Sequence, residues 1–233
     1  MPAIPPAVTA GTLSRSLRAR ALLWGALMIL LVAALSLLVA LTFHYRSARM
    51  QAEVEATAAT AADQLAQLLD RNLQTILALP GRDASAESWQ RHAHDLLLAH
   101  PEVLRLERRG VDNRIVDAVD TRSRPPLFSE MGRADAQLDT ELACGTAHRR
   151  HGPTYSRSYF VPHSDGLGLE VMDVCIEELL GDRFAGFVTA TYSLAGLLDR
   201  LSIEGVAPGH ELSLVEGDGS RLAHGRMHVG AGV

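Results

Sequence analysis

Residues 154–193 read TYSRSYFVPHSDGLGLEVMDVCIEELLGDRFAGFVTATYS. Val, Ile, Thr, Tyr and Phe gather in three runs, 154–162, 167–177 and 184–193, parted by His163-Ser164-Asp165-Gly166 and Gly181-Asp182. β-Branched and aromatic residues bounded by turn formers predict strands. Connections this short join antiparallel neighbours, because a parallel return needs a crossover of about a dozen residues. The stretch therefore predicts the centre of an antiparallel sheet.

The same reading extends outward. Val103-Leu104-Arg105-Leu106-Glu107 alternates apolar and polar residues, Arg109-Gly110-Val111-Asp112-Asn113 supplies a turn, and 114–119 reads as the returning strand of a hairpin. Pro125-Pro126 opens a loop, and a helix is predicted over 133–148. An amphipathic helix follows the last strand over 194–201, and another precedes the hairpin over 85–99, where Trp89, Ala93, Leu96 and Leu97 share a face before Pro101. This order predicts an α+β fold, an antiparallel sheet with helices on one face. Residues 211–215, the acidic Gly turn 216–219 and residues 221–223 repeat the hairpin pattern. A lone hairpin is only marginally stable, so this one is read as the start of a second module and the chain as the N-terminal part of a longer protein.

Ahead of the sheet, residues 21–43 read ALLWGALMILLVAALSLLVALTF without a charge. At about 1.5 Å per residue they reach roughly 34 Å, enough to cross a bilayer. Arg15, Arg18 and Arg20 lie before the run with no acidic residue, whereas Glu53, Glu55 and Asp63 follow it. That bias predicts a cytoplasmic N-terminus and an external remainder. A cleaved signal peptide is the alternative, but the apolar run is long for one and Phe43-His44-Tyr45-Arg46 has no small-residue cleavage site. Residues 1–20, rich in Pro, Ala and Ser, are expected to be a disordered cytoplasmic tail. Beyond the anchor, 44–80 lacks Gly and Pro until Pro80 and places Val54, Ala58, Ala61, Leu65 and Leu68 at helical steps. This is a stalk helix whose stripe packs either on the chain's own sheet or against a second copy, and a weak homodimer is expected.

Composition narrows the function. All 27 acidic residues but only 19 of the 22 basic ones lie beyond Phe43, a formal charge of −8 that argues against nucleic acid as a partner. Cys144 and Cys175 fall on the external side, where a disulfide persists; a bridged pair and two buried thiols are both compatible with their spacing. The histidine pairs His92/His94, His148/His151 and His224/His228 lack supporting ligands, and no metal site is assigned. Neither a nucleophile elbow nor an HExxH sequence is present, and no catalytic residue is assigned.

The hairpin carrying Arg109-Gly110, the segment Gly152-Pro153-Thr154-Tyr155-Ser156 leading to Tyr159-Phe160, and Gly181-Asp182-Arg183-Phe184-Ala185-Gly186-Phe187-Val188 running into Ser193-Leu194 and Leu197-Leu198 together resemble the extracytoplasmic Cache and PAS-like sensor domains of bacterial membrane-bound sensor histidine kinases. The resemblance implies a tail at 1–20, a membrane helix at 21–43, a stalk at 44–80, a sensor domain at 81–203 and the start of a second module at 204–233. It implies a place in the bacterial inner membrane with the sensor domain in the periplasm, and a small-molecule ligand. ATP, Mg and a response regulator would belong only to a kinase part outside these residues, and no cofactor is expected within them. A diguanylate cyclase or a chemoreceptor carries the same type of input, and a ligand-free membrane-anchored scaffold is the rival from another class.

For the ligand site, the strand period of two places Tyr155, Arg157 and Tyr159 on one face, with Asp173, Thr189 and Thr191 contributed by neighbouring strands. An arginine fork among tyrosines suits a carboxylate, which predicts an anionic ligand. An outward arginine on a solvated sheet face is the alternative.

Overall fold

The computed structural model describes residues 11–162, 168–201, 212–215 and 221–224. Contacts divide the chain into two compact units, 1–58 and 59–233. The first consists of most of one helix, α1, which runs over Gly11–Leu77. It starts ten residues ahead of the expected membrane run, so residues 11–20 are helical where a disordered tail was expected, while 1–10 lie outside the described residues. The large apolar side chains of 22–43, from Leu22 to Phe43, are exposed, as suits a helix long and apolar enough to cross a membrane.

The second unit begins with the last turns of α1. Leu68 and Ile76 are buried in the domain core, and Leu65, Leu69 and Leu73 pack against it. Val54 and Ala58 of the predicted stripe remain exposed in the first unit. Helix α2 (Ala86–Ala99) starts at Ser85, whose hydroxyl accepts from the Ser88 N–H, and buries Trp89, Ala93, Leu96 and Leu97. Local sequence alone specifies this element: an N-cap, an acidic first turn, an apolar stripe and a following proline.

The sheet comprises β1 (Val103–Arg109), β2 (Ile115–Asp120), β3 (Thr154–Pro162), β4 (Gly168–Leu180) and β5 (Arg183–Ser193), in the order β2-β1-β5-β4-β3. Every neighbouring pair is antiparallel. The β4–β5 turn uses Gly181 at φ +60°, and Gly186 at φ +131° sits beside a bulge in β5, where a Cβ would collide with the Arg109 carbonyl. Only glycine fits there. Ser193 ends β5 and caps the short helix over Leu194–Asp199 by accepting from the Gly196 N–H.

Helices cover both faces of the sheet, which corrects the expectation of one. The end of α1, α2 and the helix Leu194–Asp199 enclose the face bearing Leu106, Val174, Ile176, Val188, Ala190 and Tyr192. The opposite face is covered by residues 121–136, which end in a 3-10 turn at Arg133–Ala136, and by helix α3 (Gln137–Arg150). Ala143, Cys144 and Ala147 give α3 a small-residue face, which lets it lie close against Cys175 and Phe187. A disulfide joins Cys144 to Cys175, their Cα atoms 5.0 Å apart, and ties α3 to β4. The second hairpin forms as β6 (Ser213–Val215) and β7 (Arg221–His224). Its Ala223 is buried in the core of the first sheet, and Leu214 and Leu222 pack on it.

Candidate functional site

On the α3 side, strand pairing places the side chains in rows. Glu107 pairs with Thr189, which pairs with Cys175, and Arg105 pairs with Thr191, which pairs with Asp173. Two apolar clusters flank these rows: Leu104, Leu127, Val161 and Val171 at one end, and Ala143, Ala147, Phe187 and the disulfide at the other. Between them lies a buried ionic network.

Asp173 is fully buried. One carboxylate oxygen accepts from Thr191 Oγ1 at 2.6 Å; the other accepts from Arg133 Nη2 at 2.8 Å, Tyr159 Oη at 3.0 Å and the Thr140 hydroxyl. Its backbone N–H donates to Ser156 Oγ at 2.9 Å. Glu107, also fully buried, accepts from Arg105 Nε at 2.7 Å, Arg109 Nε and Nη2 at 2.9 and 2.6 Å, and Arg133 Nε at 3.0 Å. Arg133 thus bridges the two carboxylates, donates from Nη1 to Tyr159 Oη at 2.8 Å, and lies 4.7 Å from the Phe128 ring centroid and 5.9 Å from that of Tyr159. Arg105 turns its other side to Asp120 at 2.6 Å. Three guanidinium groups therefore face three carboxylates.

Burial by itself would raise the Glu107 carboxyl, but Arg133, Arg109 and Arg105 outweigh it and hold the group at about 2. Burial opposes the charge on Arg133, yet Asp173 and Glu107 raise its pKa above the ordinary arginine value. The Tyr159 hydroxyl is raised by burial and by Asp173, which keeps it a donor. The arrangement is a charge-balanced buried network, with donors and acceptors fixed in direction.

Of the residues selected from sequence, the network unites Tyr159, Asp173 and Thr191. Thr189 lies on the same face beneath the disulfide, its hydroxyl 3.8 Å from Cys144 Sγ and 3.7 Å from Cys175 Sγ. Tyr155 and Arg157 are elsewhere. A bulge between Tyr155 and Ser158 breaks the period of two, so Tyr155 opposes Val174 on the α1 side while Tyr159 opposes Val171. Arg157 is exposed. The premise that Tyr155, Arg157 and Tyr159 share one face is therefore corrected, and the arginine at the tyrosine is Arg133.

Glu107, Arg109, Arg133 and Thr140 were not selected from sequence. The run Arg105, Glu107, Arg109 at every second position of β1 was the available signal, because it forces three charges onto one face. Arg133 comes from a segment with no periodicity, and no local pattern marks it. Among the described residues no group of His, Cys, Asp and Glu is arranged to hold a metal. His148 and His151 both face Glu177, at 2.8 and 3.0 Å, on an exposed edge beyond the network.

No protein-family model matches the chain, and no curated protein matches it. Solved structures do show similarity. An extracellular ligand binding receptor from Desulfohalobium retbaense aligns at 14% identity and TM-score 0.43, over 60% of this chain and 25% of its own. The ligand binding domain of the Pseudomonas aeruginosa amino acid chemoreceptor PctC, in complex with GABA, aligns at 14% identity and TM-score 0.47, over 73% of each chain. The extracellular domain of the putative histidine kinase soHK1S-Z6 aligns at 12% identity and TM-score 0.43, over 70% of this chain and 65% of its own. This chain spans a quarter of the length of the first of these. Similarities at this level assign neither family nor ligand.

Proposed function

We propose that this chain is the membrane-anchored signal-input region of a bacterial sensor, with the sheet domain outside the cytoplasmic membrane and its ligand site on the α3 face around Asp173, Glu107, Arg133 and Tyr159. The observation that carries this reading is the burial of charged groups of both signs in the middle of a small sheet. Replacing such groups by apolar residues is often neutral or stabilising, so their presence is poorly explained by stability and well explained by recognition. A ligand acts through different affinities for two arrangements of the domain, and α1, whose last turns join the core through Leu68 and Ile76, is the element that carries the difference onward. The output is read as a histidine kinase from the sequence resemblance, with a response regulator as its partner; a diguanylate cyclase or chemoreceptor would use the same input. A homodimer through exposed Val54 and Ala58 completes the proposal.

Thermal melting of the full chain in detergent against a panel of amino acids, amines and carboxylates tests ligand binding, since binding to the native state raises stability. A saturable shift is expected. A second observation favours the ligand-free scaffold: both Asp173 oxygens already have protein donors, and the space among Leu104, Thr121, Leu127 and Leu169 does not admit a water molecule. No shift with any compound would select the scaffold. Reporter fusions at Pro101 test the orientation, with activity of a cytoplasm-only reporter overturning it.

A further inference from the structure

We infer that Arg133 is a tethered occupant of a cation site, and that the site accepts a free guanidinium or primary ammonium in its place. This rests on reading the Asp173 face as the ligand site, and it names the class of ligand. The guanidinium is held as a recognised ligand would be held. Two fully buried carboxylates, from β1 and β4, accept its N–H groups at 3.0 and 2.8 Å, the Tyr159 hydroxyl accepts at 2.8 Å, and the rings of Phe128 and Tyr159 stand 4.7 and 5.9 Å away. Carboxylates with aromatic rings form the usual environment for binding an organic cation.

Charge sets the sign of any competitor. Arg109 pairs with Glu107 and Arg105 is shared with Asp120, whereas Arg133 is the sole cation in contact with Asp173 among the described residues. When Arg133 swings away, Asp173 retains only the neutral donors Tyr159, Thr140 and Thr191. A buried carboxylate stripped of its cation is strongly unfavourable, so the group that enters carries positive charge. This reverses the anionic ligand expected from Arg157.

The tether also explains how such a site reports a signal. Arg133 hangs from the 3-10 turn at the end of residues 121–136, which also carry Leu127 and Phe128 over the sheet. A tethered group acts at an effective concentration of about millimolar, and a free ligand must outcompete it. Displacement releases the covering segment, so bound and unbound arrangements differ beyond the ligand itself.

The test uses the full chain in detergent, with methylguanidinium chloride as probe and sodium acetate as control. Arg133→Ala is expected to melt below the wild type and to regain several degrees with methylguanidinium in a saturable manner. The wild type, whose tether competes, is expected to respond much less, and neither acetate nor the double variant Arg133→Ala/Asp173→Asn is expected to show rescue. A folded Arg133→Ala that ignores methylguanidinium, or is rescued equally by acetate, overturns the inference. If Arg133→Ala does not fold, Arg133→Gln is titrated in the same way; failure of both to fold even with methylguanidinium counts against a replaceable occupant. The two proposals fail separately. Rescue of the variant with no ligand found for the wild type leaves the cation site and removes the sensor, whereas a wild-type ligand without rescue removes only the tethered occupant.

Discussion

Protonating Glu107 should remove a large part of the domain's stability, and the magnitude follows from its surroundings. The carboxyl is held at about 2 against an ordinary 4.5, with Arg133, Arg109 and Arg105 offsetting the effect of its burial. That difference corresponds to about 3 kcal/mol at 1.36 kcal/mol per pKa unit. Because the folded state depresses the pKa, the contribution is complete above about pH 4.5 and is lost as pH falls towards 2. In a protein whose total stability is about 5–15 kcal/mol this is a substantial fraction. Glu107→Gln at neutral pH leaves Arg109 buried without its counter-charge and Arg133 with Asp173 alone, a change of about 3–5 kcal/mol. Urea unfolding of wild type and Glu107→Gln from neutral pH to pH about 2.5, followed by far-ultraviolet circular dichroism, measures both effects. The gap between the two proteins is expected to be widest at neutral pH and to narrow below pH about 4.5, as wild-type Glu107 takes up its proton. A gap that stays constant over the whole range would refute the assignment of a charged Glu107 to the centre of the network.

Three further outcomes are expected. Removing the disulfide with Cys144→Ala/Cys175→Ala, which opens a sequence separation of 31, should cost about 3–4 kcal/mol in the chain-entropy model; an unchanged melting temperature would contradict a structural role. Arg157→Ala should alter stability by no more than about 0.5 kcal/mol and leave any ligand-induced shift intact, as for other exposed positions; loss of that shift would return Arg157 to the site. Gly186→Ala should destabilise by more than about 1 kcal/mol, because φ is +131° and its Cβ would meet the Arg109 carbonyl; a neutral result in thermal melting would show that the bulge relaxes freely.

The elements of this protein are largely local consequences of its sequence. Strand β3 occupies the predicted residues, α2 starts within one residue of the predicted start, and the hairpin turn closes through the Gly110 N–H to the Arg114 carbonyl and Asn113 at φ 62°. Period, caps and turn formers act over a few residues, and a single sequence contains them in full. The long apolar helix is legible for the same reason.

The candidate site was legible only in part. Tyr159, Asp173 and Thr191 could be selected because they are polar residues on strands with a regular period. Tyr155 was misplaced because one bulge reverses the facing of what precedes it, and Arg157 because it lies within that bulge, which shows only in the pairing with β4. By period, Arg105, Glu107 and Arg109 form the polar face of an alternating strand. They are interior because α3 and residues 121–136 close over that face, and the small side chains of Ala143, Cys144 and Ala147 let α3 approach. Arg133 lies 26 residues from Glu107 and 40 from Asp173. Its position is decided by the two buried carboxylates that it bridges, a condition that exists only once the sheet has assembled and been covered.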